Sequence, residues 1–127
     1  MKTSELEDEL LDWAVAQCLG LKVWKSRGGW MVLSFDDHPE FCNEYNDSDS
    51  QRFCPTYDWS QGGLIIEREC IAISCIHITG YTPNTWTARH PQRFSAEGPT
   101  PLIAAMRAYV ASKLGDEVVL LESEVTP

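Results

Sequence analysis

The stretch that bears most directly on the fold spans residues 100–115 and reads TPLIAAMRAYVASKLG. Thr100 can accept a hydrogen bond at a helix N-terminus, and Pro101 suits the first helical position because its missing N–H needs no partner there. Apolar residues recur every three or four positions as a broad stripe, and four alanines favour helix and close packing. The pattern predicts a helix from Pro101 to Leu114, ended by Gly115.

A second helix is predicted near the start of the chain. Ser4 and Glu7 have the spacing of a capping box, and several acids occupy the turn in which the helix dipole favours negative charge. Apolar residues then recur at helical spacing, with Asp12 and the other acids on the opposite face. We expect a helix from about Ser4 to Leu19, ended by Gly20.

Two β-hairpins are predicted between these helices. Residues 21–25 and 30–35 contain alternating or β-forming residues on either side of a glycine-containing turn. Residues 71–78 and 85–89 show the same arrangement around a second turn. We therefore expect an α+β fold, a mainly antiparallel sheet of two hairpins packed against an N-terminal and a C-terminal helix, in a single domain over residues 1–121.

The remaining segments lack a strong periodic pattern. Turn-forming residues dominate residues 36–56, which we interpret as one long irregular loop and a mobile insertion. Residues 57–63 are predicted to form a compact turn of polar and aromatic residues, followed by one or two helical turns over residues 64–69. Residues 89–94 are predicted to leave the second hairpin as a loop, and residues 122–127 to form a frayed tail.

The charge of the chain disfavours several classes of function. It carries 10 Lys and Arg against 19 Asp and Glu, a net charge of −9. Because nucleic-acid binding draws on Lys and Arg that neutralise phosphates, general nucleic-acid binding is not expected, although a local basic face on residues 59–115 stays open. The acidic N-terminus lacks the apolar stretch of a signal peptide, and no apolar run is long enough to cross a membrane. We expect a cytoplasmic protein that does not associate with membranes.

No residue pattern indicates a metal site or a catalytic group. The five cysteines form no Cys-x-x-Cys pair, and we expect reduced thiols. His38, Cys42 and Cys54 lack a nearby fourth ligand for zinc, and Cys75 with His77 is more typical of strand packing than of a nucleophile and base. We therefore predict no metal and no cofactor, assign no catalytic residue, and favour a protein that is not an enzyme.

The strongest candidate for a binding site is the segment from Asp58 to Gly63. It combines an acid, a large aromatic residue, a carboxamide and two glycines, a mixture suited to binding because the aromatic supplies area and the polar groups supply direction. The alternative is that the aromatic and the acid only plug and cap the domain. We expect this segment to lie beside the start of the last helix, with an arginine nearby. The candidate ligand or partner residues are Asp58, Trp59, Gln61, Gly62, Gly63, Arg68, Thr100 and Arg107.

Several stretches together resemble the NinX-like family of lambdoid bacteriophages and enterobacterial prophages. They are residues 1–6, 11–16, 58–69, 98–107 and 114–118. Leu64 and Cys70 depart from the Pro and Gly that the family commonly has there, which implies a less sharply defined start and end of the short helix. Because no activity is established for that family, the resemblance implies a phage or prophage origin and a location in the host cytoplasm, and it carries over no catalytic residue.

These observations favour a phage accessory protein that acts by binding a host or phage protein. The alternative is a small-ligand-binding protein or an enzyme that uses the loop from Asp58 to Gly63. We expect a monomer or a weak homodimer, because Ala104, Ala108 and Ala111 would present small apolar surface for helix pairing.

Overall fold

The computed structural model describes residues 2–26, 29–32, 51–76 and 85–115. Within these ranges three α-helices and one 3-10 turn accompany two antiparallel sheets. The elements are the 3-10 turn Thr3–Glu5, the helices α1 (Asp8–Leu19), α2 (Trp59–Glu69) and α3 (Pro101–Leu114), and the strands β1 (Val23–Ser26), β2 (Gly29–Val32), β3 (Gln51–Phe53), β4 (Ala72–Ile76), β5 (Thr85–His90) and β6 (Phe94–Gly98). The predicted α+β class, with two antiparallel hairpins between an N-terminal and a C-terminal helix, is confirmed.

Helix α3 has the predicted ends. The Thr100 side chain accepts a hydrogen bond from the backbone N–H of Ile103 at 3.1 Å, Pro101 is the first helical residue, and Gly115 follows the last one. The helix is buried on more than one face, however, because nine of its 14 residues are buried. It packs against β5 and β6, α1, and α2, so the core of the described part of the chain surrounds it.

The small residues of α3 face the inside of the fold. Ala104 and Ala108 are fully buried, and Ala111 is only 7% exposed. Because their side chains are small, these alanines let the neighbouring elements pack closely against the helix. The apolar surface through which a homodimer was expected to form is therefore covered within one chain. The predicted monomer or weak homodimer stays a prediction, and these alanines no longer support the dimer.

The start of α1 differs from the prediction. The helix begins at Asp8, its N-cap residue Glu7 makes no side-chain capping bond, and the predicted capping box at Ser4 is absent. The chain first forms the 3-10 turn and is extended at Leu6, whose side chain is completely buried. Burial of this leucine outweighs the small free energy of a local cap. The predicted end at Gly20 is confirmed, with a left-handed φ of 73°.

The first sheet has the strand order β1-β2-β3. Its hairpin is confirmed, but the interpretation of residues 36–56 as one irregular loop is wrong at its end, where Gln51–Phe53 pairs with β2. Trp30 and Phe53 are partners in this register and both are buried. The indole Nε1 of Trp30 also donates to the carbonyl of Glu9 at 2.6 Å, which attaches the sheet to α1. The rest of the predicted loop, residues 33–50, lies outside the described residues.

The second sheet has the order β4-β5-β6. Its first hairpin is confirmed, but residues 89–94 are not a loop that leaves the sheet, since a turn at residues 91–93 leads directly into β6. Gly98 at the end of β6 lets α3 approach, because a Cβ there would lie 2.8 Å from the backbone nitrogen of Ala104. Packing against α3 thus produces a strand from residues that lack a β-forming pattern. The turn of the first hairpin and the tail predicted for residues 122–127 lie outside the described residues.

Candidate functional site

The segment from Asp58 to Gly63 is the beginning of a helix. The Asp58 carboxylate accepts hydrogen bonds from the backbone N–H and the hydroxyl of Ser60, at 2.8 and 2.7 Å. The N–H groups of Gln61 and Gly62 donate to the carbonyl of Asp58. The predicted turn over residues 57–63 is therefore wrong after Asp58, because this cap starts α2 five residues before Leu64 despite two glycines.

The end of α2 lies at Cys70, one of the two positions at which the chain departs from the pattern of the family that it resembles. Cys70 follows the last helical residue and adopts a left-handed conformation with φ of 56°. Glycine takes this conformation without steric cost, whereas any other residue is strained there. Leu64, where the resemblance implies a proline, lies inside α2 and continues it. The helix therefore begins earlier than expected. It ends at Cys70, which adopts the left-handed conformation that glycine favours.

Gln61 has a structural role. Its side chain is 1% exposed, its Oε1 accepts from the backbone N–H of Cys54 at 2.8 Å, and its Nε2 donates to the carbonyl of Arg52 at 2.8 Å. These two hydrogen bonds attach α2 to the chain that leaves β3. Gln61 is thus unavailable to a partner, although the sequence pattern placed it among the binding residues.

Gly62 and Gly63 have different surroundings. Gly62 is buried, and a Cβ at this position would collide with the carbonyl oxygen of Pro55 and lie 2.6 Å from Cδ2 of Leu102. A Cβ on Gly63 would meet only Cε3 of Trp59, at an ordinary 3.7 Å. Gly62 therefore brings the first turn of α2 against the first turn of α3, as the sequence predicted for these two segments.

Two aromatic side chains project from the same region. Tyr57 is 84% exposed and Trp59 is 56% exposed. We call Tyr57 and Trp59 the aromatic pair. The backbone of Tyr57 and of Asp58, which precedes Trp59, is held by hydrogen bonds from these two N–H groups to the carbonyl of Cys54, at 3.0 and 2.8 Å. Trp59 is exposed and does not plug the fold, whereas Asp58 caps the helix. Of the structural alternative, only the capping role of Asp58 is therefore observed.

Asp12 holds the turn before the aromatic pair. Its carboxylate accepts a hydrogen bond from the backbone N–H of Thr56 at 3.0 Å, and the residue is only 6% exposed. Burial raises the pKa of Asp12 to about 6, and the hydrogen bonds from Thr56 oppose that rise only in part. Helical spacing placed this acid on the polar face of α1, and only the contact with a turn 44 residues away buries it.

The raised pKa of Asp12 predicts a pH dependence of stability. Between the ordinary value of 3.8 and about 6, the folded chain holds more protons at this carboxyl than the unfolded chain does. The contribution of Asp12 to the free energy of unfolding therefore falls as the pH rises through this window, by about 2–3 kcal/mol in total. Urea unfolding of the native chain and of Asp12→Asn between pH 4 and 7.5 measures it. Relative to the native chain, Asp12→Asn should become more stable as the pH rises to about 6, and above that pH the difference in the free energy of unfolding should be constant. A stability difference independent of pH would contradict the prediction.

Arg68 lies at the opposite end of α2 from the aromatic pair. It contacts the Glu69 carboxylate at 3.4 Å and donates to the Tyr109 hydroxyl at 3.5 Å. His90 Nδ1 accepts from the N–H of Gln92, which leaves Nε2 to donate to Glu69 at 2.9 Å. Burial opposes ionisation of Glu69, but the hydrogen bond from His90 and the nearby cations outweigh it and lower the pKa of this carboxyl. This cluster joins α2 to β5 and α3.

Arg107 and Thr100 are also engaged in holding the fold. Thr100 is the cap of α3, and Arg107 donates from Nε to the carbonyl of Leu6 at 2.7 Å and from Nη1 to the carbonyl of Glu97 at 2.8 Å. Partial burial lowers the pKa of Arg107, which the charges of two acids at the start of α1 oppose. The structure thus brings the starts of α2 and α3 together but places Arg107 on a different side of α3, toward Leu6 and Glu97.

Two of the four described thiols, Cys18 and Cys54, have the character of packed side chains, whereas Cys70 and Cys75 are exposed and not packed as the sequence predicted for Cys75. Burial raises the pKa of Cys18 to about 12 and that of Cys54 to about 11, so both are protonated at neutral pH and are poor nucleophiles. The described residues contain no group of three or more His, Cys, Asp or Glu side chains arranged to hold a metal ion. His38, Cys42 and His77 lie outside the described residues.

Comparison with known proteins identifies the family. None of the helices in the described ranges is long and apolar enough to span a membrane. A comparison with the curated proteins finds no match. The family model described as "Bacteriophage P22, NinX" matches residues 2–113. This span runs from before the 3-10 turn to the last turn of α3, and the chain therefore belongs to the NinX family of phage proteins.

Proposed function

We propose that this phage protein is a non-enzymatic binding module that engages a host or phage protein in the bacterial cytoplasm through the aromatic pair. The observation that carries the proposal is that Tyr57 and Trp59 are 84% and 56% exposed on a backbone held from inside. Tyrosine and tryptophan supply much of the binding energy at protein interfaces, because each buries a large area with few rotatable bonds.

The support beneath the aromatic pair favours binding. Asp12 and Gln61 are buried residues that hold the backbone of Thr56, Cys54 and Arg52 through hydrogen bonds. A surface whose backbone is already ordered loses less conformational entropy on association than a flexible loop does. Two buried polar groups thus help to present two apolar groups to solvent, an arrangement that serves recognition better than it serves the stability of the free chain.

The surroundings of the aromatic pair also bear on the kind of partner. Asp58 lies between the two aromatic residues, and the net charge of the chain is −9. An acidic surface accelerates association with a basic one and repels acidic competitors. We therefore propose a protein partner with a basic rim around an apolar pocket, and not a nucleic acid.

The alternative function, a small-ligand or catalytic site in a loop from Asp58 to Gly63, receives less support. The carboxylate of Asp58 is engaged in capping α2, and the N–H of Gly62 donates within the helix. Gln61 is buried and doubly hydrogen-bonded. Among these residues only Trp59 presents a large side chain to solvent.

Trp59→Ala is expected to abolish capture of the partner while changing the free energy of unfolding by less than about 1 kcal/mol. The indole is more than half exposed, so its removal leaves no cavity. The measurement is affinity capture from infected host cells, with thermal unfolding of each variant in parallel. The matched control is Leu114→Ala, since Leu114 is 42% exposed in the last turn of α3.

The two variants separate a binding role from a structural one. We expect Leu114→Ala to retain the captured protein and Trp59→Ala to lose it, at nearly equal melting temperatures. Equal capture by both variants would contradict the proposal, and so would a loss of stability in Trp59→Ala comparable to that of a buried tryptophan, about 3–5 kcal/mol.

A further inference from the structure

A groove lies between the N-terminal segment and β6, which is an edge strand in the described sheet. It consists of two cavities of about 320 and 700 Å³ that share Ser4, Ser95, Ala96 and Arg107 as lining residues. We call it the Arg107 groove. Its larger part has the volume typical of small-molecule sites. None of its lining residues belongs to the aromatic pair or its supports, so it is independent of the proposed protein-binding surface.

Arg107 is positioned in the groove with donors to spare. A guanidinium carries five N–H groups in a planar fork, and two of them donate to the carbonyls of Leu6 and Glu97. Within the described part of the chain no carboxylate lies within ion-pair distance of it. Two backbone carbonyls therefore hold the fork in place while the remaining N–H groups stay available, which is an arrangement that suits two oxygen atoms of a carboxylate or a phosphate.

The other lining residues favour the same ligand chemistry. Lys2 supplies a second cation to the smaller cavity, and Ser4 and Ser95 add hydroxyl groups to both cavities. The larger cavity contains one acid, Glu97. The residues that line the two cavities include two cations and one acid, and the acids Glu7 and Asp8 also act on Arg107 from the start of α1.

Thr87 adds an unsatisfied hydroxyl beside the groove. It is among the residues that line the larger cavity, and its Oγ1 is buried without a hydrogen-bond partner among the described residues. A buried hydroxyl without a partner costs free energy, which a polar ligand atom would recover only if the groove opened toward this oxygen.

We propose that the Arg107 groove binds a small organic molecule through an oxyanion, a carboxylate or a phosphate group. The guanidinium of Arg107 donates to the oxyanion, the ammonium of Lys2 adds charge, and the serine hydroxyls complete the hydrogen bonds. Arg107→Lys is the obvious test, but this change also removes the bonds to Leu6 and Glu97 that hold the fold together. A substitution on an exposed position of the groove avoids that difficulty.

The test uses Ser95→Glu, with Ser74→Glu as its matched control. Both serines are exposed on strands of the same sheet, and only Ser95 lines the groove. The full chain is titrated separately with inorganic phosphate and with succinate at constant ionic strength, and binding is followed by NMR chemical shifts. We expect saturable binding of at least one anion, about 10-fold or more weaker in Ser95→Glu and changed less than about 2-fold in Ser74→Glu.

The two titrations also distinguish the source of the oxyanion. Tighter binding of phosphate assigns the groove to a phosphorylated molecule, and tighter binding of succinate assigns it to a carboxylate. Absence of saturation with both anions would overturn the proposal. Equal weakening in the two variants would also overturn it, because net charge and not the groove would then govern the response.

Discussion

Gly62→Ala is expected to lower the free energy of unfolding by about 2–3 kcal/mol, whereas Gly63→Ala is expected to raise it by about 0.5–1 kcal/mol. Alanine is a better helix former than glycine at both positions, so helix propensity alone predicts the same increase in stability for the two variants. The added methyl group at Gly62 would collide with the carbonyl oxygen of Pro55 and lie 2.6 Å from the side chain of Leu102. At Gly63 it would make an ordinary contact at 3.7 Å with Trp59.

The opposite signs make this pair a test of how α2 packs. Urea unfolding of both variants measures the difference, which should reach about 3 kcal/mol between adjacent residues of one helix. The carbonyl of Pro55 belongs to a backbone held by its neighbours and cannot move as a flexible side chain does. Two stabilising substitutions would mean that α2 does not lie against Pro55 and Leu102 as closely as the structure has it.

Gln61→Leu is expected to cost about 3 kcal/mol of stability, the second large effect. The leucine fills most of the volume of the glutamine but leaves the N–H of Cys54 and the carbonyl of Arg52 without their partners. Each polar group that is buried and unpaired costs about 1–3 kcal/mol. Because these bonds also hold the turn before Tyr57, the variant should lose its partner together with its stability, unlike Trp59→Ala.

Gln92→Leu provides the matched control for this prediction. Gln92 is exposed in the turn between β5 and β6, so the same substitution there should change the free energy of unfolding by less than about 0.5 kcal/mol. Chemical denaturation of both variants gives the comparison. A Gln61→Leu variant as stable as Gln92→Leu would contradict a structural role of the Gln61 side chain.

The ends of the helices show where local patterns succeed and fail. Thr100, Pro101 and Gly115 predict α3 correctly, because a cap acts on backbone groups within three or four residues of itself. Ser4 and Glu7 have an equally good capping pattern, yet the chain is extended between them and buries Leu6. A cap contributes about 1 kcal/mol, and burial of a leucine side chain contributes about 2 kcal/mol, so the tertiary contact prevails.

The residues of the candidate site show the same difference between local patterns and tertiary contacts. Asp58 and Trp59 could be selected from the sequence because a capping acid and a large aromatic among polar residues are local features. Tyr57 was not selected, although an aromatic residue directly before a helix-capping acid was a signal that could have found it. Gln61 was assigned to binding, because a carboxamide in a polar segment looks available until a strand and a turn surround it.

The sequence by itself determined the helices α1 and α3, the two hairpins, and the family, but it predicted loops or turns where β3, β6 and the first turn of α2 lie. These properties depend on hydrophobic period, turn residues and caps, which act over a few neighbouring positions. Only the tertiary structure decided which polar groups are buried, and Asp12 and Gln61 both lie in the interior against the expectation of their patterns. It also decided that Gly62 is a contact point between helices and that Tyr57 and Trp59 are left exposed. Burial depends on the approach of segments far apart in the chain, and no local pattern records that approach.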